Sequence, residues 1–368
     1  MFAVAQSIAT TGVFGNPNGV PSGPTAHVPP VHPYILAAVL TTTSSTAFPY
    51  VLTALNIVAA SLIWALLPAI AVRLGLERRI ALAAGLIGAF SPLRHWIELN
   101  GSWETTLAGL SSMVMVGLTM GRRPSDMTPW YSAGLGVGWG FVVLLQPATA
   151  MVFVVCSVWM ASRAAHASRG LAITIAACVL TLAPWTIRNY RTFGGFIFVR
   201  GNLGMELSVS NNDGALADKE NLARNPRARH PHVDRGEFAK RIEMGELAYD
   251  RGRLRDAVEW ISANPGRFLS LTAERVKLFW IPARDHLWLA VLEAAIAILA
   301  LIGLLYLPQP AFGVVLGIWL TYPLMYYVVQ ADERFRFPIE WTITLSAAAA
   351  VVRPFSSTGR ITSDTCAR

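Results

Sequence analysis

Four groups of polar side chains lie at the margins of long apolar runs, where charge is costly and tends to mark function. The first is Arg94, His95, Glu98 and Glu104, carried by a short link, RHWIELNGSWET. Glu104 opens an apolar run directly after Trp103. A carboxylate there is either favoured by the helix dipole as a cap or poised to take a proton from a group held between helices. The second group is Arg188-Asn189, with Arg191 and Arg200 downstream, where apolar sequence gives way to polar. Guanidinium groups at such an exit either snorkel to lipid headgroups or grip a phosphate with their planar fork. The third is DERFRFPIE, Asp332–Glu340, in which acids and arginines alternate with phenylalanines between two apolar runs. It reads either as a phosphate or sugar site or as an internal ion-pair cluster. The fourth, His27, His32 and Tyr34, lies in a Pro-rich stretch, and its histidines read as solvated loop residues.

The chain around these groups has 368 residues, 54% hydrophobic and only 14% charged, with a mean hydropathy of +0.45. Soluble domains carry about 25% charge. The departure comes in long blocks, which indicates an all-α polytopic membrane protein. The net charge of +8 fits Lys/Arg in cytoplasmic loops facing anionic headgroups. No compact basic domain stands apart from the apolar blocks, so no nucleic-acid partner is expected. Cys156 and Cys178 lie in apolar runs and Cys366 in the tail; no CxxC or Cys/His spacing predicts a metal or a disulfide framework. The phosphate-loop, HExxH, GxSxG and GxGxxG signatures are absent, and no cofactor is expected. No inverted repeat is evident, which argues against a secondary transporter. The first residues show neither the basic stretch nor the apolar core of a signal peptide.

Apolar runs predict nine spans, at about 50–72, 80–96, 105–120, the Gly-rich stretch ending at Gln146-Pro147, 148–160, 171–187, 286–306, 312–329 and 338–352. Residues 1–49 read as an entry loop with short interfacial helices at 2–10 and 34–43. Residues 50–187 form a first bundle, 188–285 a polar segment, 286–352 a second bundle and 353–368 a tail. Within the polar segment 238–264 reads as one helix, broken by Pro265-Gly266. Basic clusters at Arg73/Arg78/Arg79, Arg122/Arg123, Arg163/Arg169 and Arg353/Arg360/Arg368 follow alternate spans. The positive-inside rule makes these cytoplasmic, in a cell (inner or plasma) membrane. The N-terminus and 188–285 then lie outside and the C-terminus inside. The 17 Lys/Arg of 188–285 do not oppose this, because long loops translocate largely regardless of charge.

Several stretches carry a family likeness. GPTAHVPPVHPYILAAVL resembles a proline-rich entry loop, SWETTL a W-E-T helix start, and APWTIRNYRTFGGFIFVRGNLGMELSVSNN a PWTxRNY…N.G.EL…NN signature. The outer helices and ERFRFPIEW continue the likeness. Together they resemble the GT-C glycosyltransferases of family 39, the protein-mannosyltransferase and aminoarabinose-transferase group. The resemblance implies a GT-C-like fold and a sugar donor on a polyprenyl phosphate. It implies a hydroxyl acceptor on a lipid, glycan or protein, and inverting transfer driven by a carboxylate base. Glu104 matches the family's second acidic position. Arg334 and Arg336 match its basic outer loop, and Arg94, Arg188, Asn189 and Asn202 complete the expected substrate-binding set. The family pattern also places a further span and an acidic outer loop ahead of the residue that is Met1 here. Two other readings are a catalytically inactive GT-C-like protein that binds lipid or a partner, and a lipid or polysaccharide transporter.

Overall fold

The computed structural model describes residues 1–91, 103–122, 127–163, 168–218, 220–282 and 287–356. Among them, regular structure is helical, with one isolated β-bridge joining Gly15 to Pro24. This is what a lipid environment selects: a helix satisfies its backbone N–H and C=O groups within one segment. The entry region forms α1 (Phe2–Thr11) and α2 (Val31–Thr42). Next come α3 (Phe48–Arg73), α4 (Arg78–Ala89), α5 (Thr105–Met120), α6 (Pro129–Leu145), α7 (Ala150–Ser162) and α8 (Ser168–Phe193). The polar segment forms α9 (Leu203–Ser210), α10 (Asn221–Arg224), α11 (Arg235–Met244), α12 (Glu246–Ala263) and α13 (Pro265–Trp280). The chain then returns through α14 (Leu287–Leu304), α15 (Ala311–Thr321), α16 (Leu324–Val328), a 3-10 turn at Glu333–Arg336, and α17 (Phe337–Ser356).

A helix occupies each of the nine places read as spans. Four stretches are long and apolar enough to cross a membrane on length and hydropathy alone: Phe48–Arg73, Arg169–Phe193, Leu287–Leu304 and Ala311–Val328. Their mean hydropathies of 1.5 to 2.5 suit outward faces that meet lipid. One expectation is corrected. The helix read over 238–264 is two, because Gly245 takes φ 79° and ψ 152° between α11 and α12. The run at 312–329 keeps the length of a span but is interrupted at Tyr322-Pro323, between α15 and α16. Proline lacks the N–H that a continuous helix would use there. The end of the run read over 80–96 and the tail from 357 lie outside the described residues.

α17 is the axis of the bundle. Ile339, Trp341, Ile343, Leu345 and Ala347 to Ala349 on it are buried, and it packs on α14, α4 and α5. Small residues set the spacing, as they do where helices associate without a hydrophobic drive between them. Gly303 of α14 lies directly against the Ser346 carbonyl of α17. Gly136 and Gly140 of α6 lie against Thr174 and Thr181 of α8. Two indoles inside the bundle find hydroxyls: Trp139 Nε1 donates to Thr119 at 3.1 Å and Trp319 Nε1 to Thr342 at 2.8 Å.

The polar helices are fastened to the end of this bundle by buried Arg275 on α13. Its guanidinium donates to Asn211 Oδ1 at 3.1 Å, to the Val328 carbonyl at 3.1 Å, and to the Ser210 carbonyl. One side chain thereby joins α13, the end of α9 and the end of α16. Burial, with nearby Arg267, brings its pKa down to about 10, so it remains a cation at neutral pH. Asn211 Nδ2 also donates to the Val328 carbonyl at 2.9 Å, and Ala331 N to the Ala217 carbonyl at 3.2 Å.

The glycine contact between α14 and α17 gives a direct test of this packing. Gly303→Leu drives a side chain into the α17 backbone and is expected to destabilise by about 1–3 kcal/mol or more. Thermal melting of the purified protein in detergent reads the loss. Gly134→Ala, at a position open to its surroundings, is the matched control and leaves the melting temperature unchanged or slightly raised.

Candidate functional site

The turn Glu333–Arg336 starts on Asp332, whose carboxylate accepts from the Arg334 backbone N–H at 3.1 Å. The same carboxylate lies 3.2 Å from Arg334 Nε. So held, the Arg334 guanidinium lies 3.7 Å from the ring centroid of Trp103 and 5.0 Å from that of Phe335. Trp103 is the residue before Glu104. Two groups 230 residues apart in sequence, the W-E-T helix start and the DERFRF turn, are therefore in contact.

Glu104 stands at the N-cap of α5, yet its side chain makes no capping hydrogen bond. Its carboxyl group is buried, at 8% exposure. Oε2 has no hydrogen-bond partner among the described residues. A buried polar atom left unpaired costs about 1–3 kcal/mol, and more when charged. The dipole-cap reading does not explain an oxygen held at that cost.

The Glu104 carboxylate interacts electrostatically with Tyr322 and Tyr326. Tyr326 stacks on Phe335 with centroids 4.5 Å apart. Tyr322 Oη donates to the Phe335 carbonyl at 3.0 Å. Gln146, where α6 ends before Pro147, donates from Nε2 to Tyr326 Oη at 3.2 Å. Its Oε1 is buried without a partner among the described residues. None of these three was singled out from the sequence. Gln146 read as a turn, and the tyrosines counted only as apolar positions.

A second polar cluster borders Arg334. Arg200 donates from Nε to the His27 carbonyl at 2.9 Å and pairs with Glu206 at 3.1 Å. Asn202 Nδ2 donates to the same Glu206 oxygen at 2.8 Å. Burial raises the Glu206 carboxyl above its ordinary range, while Arg200 and Arg334 oppose the rise. Asn202 thus acts on Glu206, a residue inside the quoted N.G.EL stretch that sequence reasoning left without a role.

The remaining expected residues divide. Arg188 donates to the Thr25 and Phe14 carbonyls at 2.8 and 3.1 Å and lies against the Trp185 and Phe14 rings. Asn189 is fully buried and donates to the Ile197 and Val199 carbonyls at 3.3 and 3.4 Å. Both fasten the entry loop and the 194–200 return to α8. Arg336 donates to Glu293 Oε2 at 2.5 Å, to Glu340 Oε2 at 2.6 Å and to the Trp280 carbonyl at 2.9 Å. The sequence grouped these three with substrate binders; the structure puts their donors on protein oxygens. Arg94, with His95 and Glu98, lies outside the described residues. Among the described residues no cluster of three or more metal-ligating side chains occurs.

These helices in this order make an architecture found elsewhere. The chain has the GT-C fold. It is similar to an oligosaccharyltransferase of Archaeoglobus fulgidus solved with zinc and sulfate, at TM-score 0.57 and 15% identity. It is also similar to the oligosaccharyltransferase AglB of that organism, solved with an inhibitory peptide and a dolichol-phosphate, at TM-score 0.56 and 15% identity. The matches cover 96% and 97% of this chain but 44% and 46% of theirs, so it spans less than half the length of either. No protein-family model matches the sequence, and no curated protein sequence matches it.

Histidines read as solvated prove to be organised. His27 of the entry loop faces His230 with ring centroids 6.2 Å apart, and His230 faces His232 at 6.3 Å. Burial, then Arg200, Arg241 and His230, holds the His27 imidazole well below its ordinary pKa. Burial, then His232, Arg241, Arg200 and Arg253, brings His230 down to about 4. Both are neutral bases in the folded state and titrate near 6.5 when unfolded. Their contribution to stability is present above about pH 6.5 and declines as pH falls toward the folded values. Melting curves at pH 7.5 and 5 should therefore show an acid-induced drop. His230→Gln, neutral at both pH values, is expected to narrow it.

Proposed function

We propose that this chain is a membrane glycosyltransferase of family-39 type that moves a sugar from a polyprenyl-phosphate donor to a hydroxyl on a lipid, glycan or protein. The observation that carries the proposal is the buried Glu104 carboxylate, one oxygen unpartnered, beside the Trp103–Arg334 stack. The GT-C fold, and the fact that a solved neighbour holds a dolichol-phosphate and a peptide, support the same reading. Glu104 takes the proton from the acceptor hydroxyl. The oxygen attacks the anomeric carbon from the side opposite the phosphate, the sugar–phosphate bond breaks, and the configuration inverts. Charge grows on the departing lipid phosphate, and the Arg334 guanidinium stabilises it, with Arg200 adding to the local cationic field. Holding both reactants at the mouth of the bundle supplies the rest. In this reading the site, the entry region and residues 188–285 lie on the extracytoplasmic face of a cell membrane. The basic short loops and the C-terminal tail are cytoplasmic. The site's partners are a lipid-linked sugar, its acceptor and the surrounding membrane lipids.

Transfer from labelled polyprenyl-phosphate sugar, measured on membranes holding the full-length product, is the test. Glu104→Gln keeps the side-chain shape and removes the base. Transfer should fall by at least about 10²-fold, with the amount of protein in the membrane unchanged. Full retention of activity would remove Glu104 from the reaction, and flipping of the lipid without transfer would point to a transporter. Arg334→Ala is expected to raise the donor concentration needed for half-maximal transfer by about tenfold, the loss of roughly one charge-assisted hydrogen bond. An unchanged donor requirement would make Arg334 purely structural.

A further inference from the structure

Gln146 and the tyrosine pair lie deeper than the Trp103–Arg334 stack and have no part in the steps above. Gln146 is 5% exposed, and its amide bonds on one end only, to Tyr326 Oη. Turning the amide over exchanges the bonded and unbonded ends and still leaves one unpaired. Close by, Glu104 Oε2 is likewise buried and unpaired among the described residues. Gln146 bonds the Tyr326 hydroxyl, the Glu104 carboxylate acts electrostatically on both tyrosines, and the two hydroxyls lie 3.4 Å apart. Buried polar groups are normally satisfied, so two unpaired acceptors on one tyrosine pair describe a place that a donor-bearing guest completes.

The geometry points to a subsite for the hydroxyl groups of a sugar ring, formed by Gln146 and Tyr326 next to Glu104. The inference rests on the glycosyltransferase reading and names what the site recognises in its donor. Each sugar hydroxyl donates and accepts, which matches an amide with one free end and the Tyr326 phenol, whose oxygen keeps one lone pair open after its bonds to Gln146 and Tyr322. A phosphate held at Arg334 would present its sugar to the adjacent residue, Phe335. That ring stacks on Tyr326, and its carbonyl accepts from Tyr322. The residues that read the ring hydroxyls thus pack against the turn that holds the phosphate. Gln146 and Tyr326 therefore act in ground-state recognition of the glycosyl group, separately from proton removal.

The test is competition binding to purified full-length protein in nanodiscs, with labelled polyprenyl phosphate displaced by polyprenyl phosphate or by polyprenyl-phosphate mannose or glucose. The wild type is expected to bind a glycosylated lipid about tenfold more tightly than the bare phosphate, the worth of one to two hydrogen bonds. Gln146→Leu should bring the two within about twofold while leaving bare-phosphate affinity unchanged. Tyr326→Phe keeps the ring stacked on Phe335, removes only the hydroxyl, and should act in the same direction. Equal wild-type affinity for bare and glycosylated lipids would overturn the subsite and leave the enzyme reading intact. So would a preference retained in both variants. A wild type that binds none of the lipids overturns the glycosyltransferase reading and this inference together.

Discussion

A single buried cation holds the working end of the bundle in register. Arg336 reaches Glu293 on α14, Glu340 on α17 and the Trp280 carbonyl at the end of α13. Ions taken out of water stay stable only when paired and hydrogen-bonded in good geometry, and here one fork meets two carboxylates and a carbonyl. Three elements distant in sequence are fixed to one side chain. The turn that carries Arg336 is fixed with them, and Arg334, two residues earlier, is held on the opposite side against Trp103. The candidate site residue, Arg334, owes its position to its structural neighbour.

The polar helices attach by the same means. Arg275 and Arg188 donate mainly to backbone carbonyls where helices end or loops turn. Trp185 Nε1 does so too, to the Val199 carbonyl at 2.9 Å. Helix ends leave carbonyls without intrahelical partners, and long cationic side chains satisfy them without water. Glu104 and Gln146 differ from them in kind: each keeps a buried acceptor oxygen without a partner among the described residues.

Much of this was legible from the residues. The fifth helix runs over 105–120 as its apolar pattern predicts, and the W-E-T stretch pointed to Glu104. Arg334 and Arg336, by contrast, could not be told apart. Both sit in one alternating motif, but a 3-10 turn has three residues per revolution, so positions two apart leave on different sides. Phe238 to Asn264 kept its apolar spacing across Gly245, whose positive φ breaks the helix without disturbing the pattern. Gln146, Tyr322, Tyr326 and Glu206 escaped notice because their roles come from contacts between distant segments, which periodicity does not record. His27 looked like an isolated loop residue because its partner lies 203 positions away, in a segment with no apolar pattern.

The outer helices differ greatly in length. α3 has 26 residues and α6 has 17, about 39 and 26 Å at 1.5 Å per residue. Each turns apolar side chains outward, Ile57, Val58 and Leu62 on one and Val137 and Phe141 on the other. A hydrocarbon layer of about 30 Å matches neither. In a bilayer that both cross, the longer rod leans, while acyl chains beside the shorter one compress. Such a bilayer is uneven in thickness, thinner along the α6 flank than along α3.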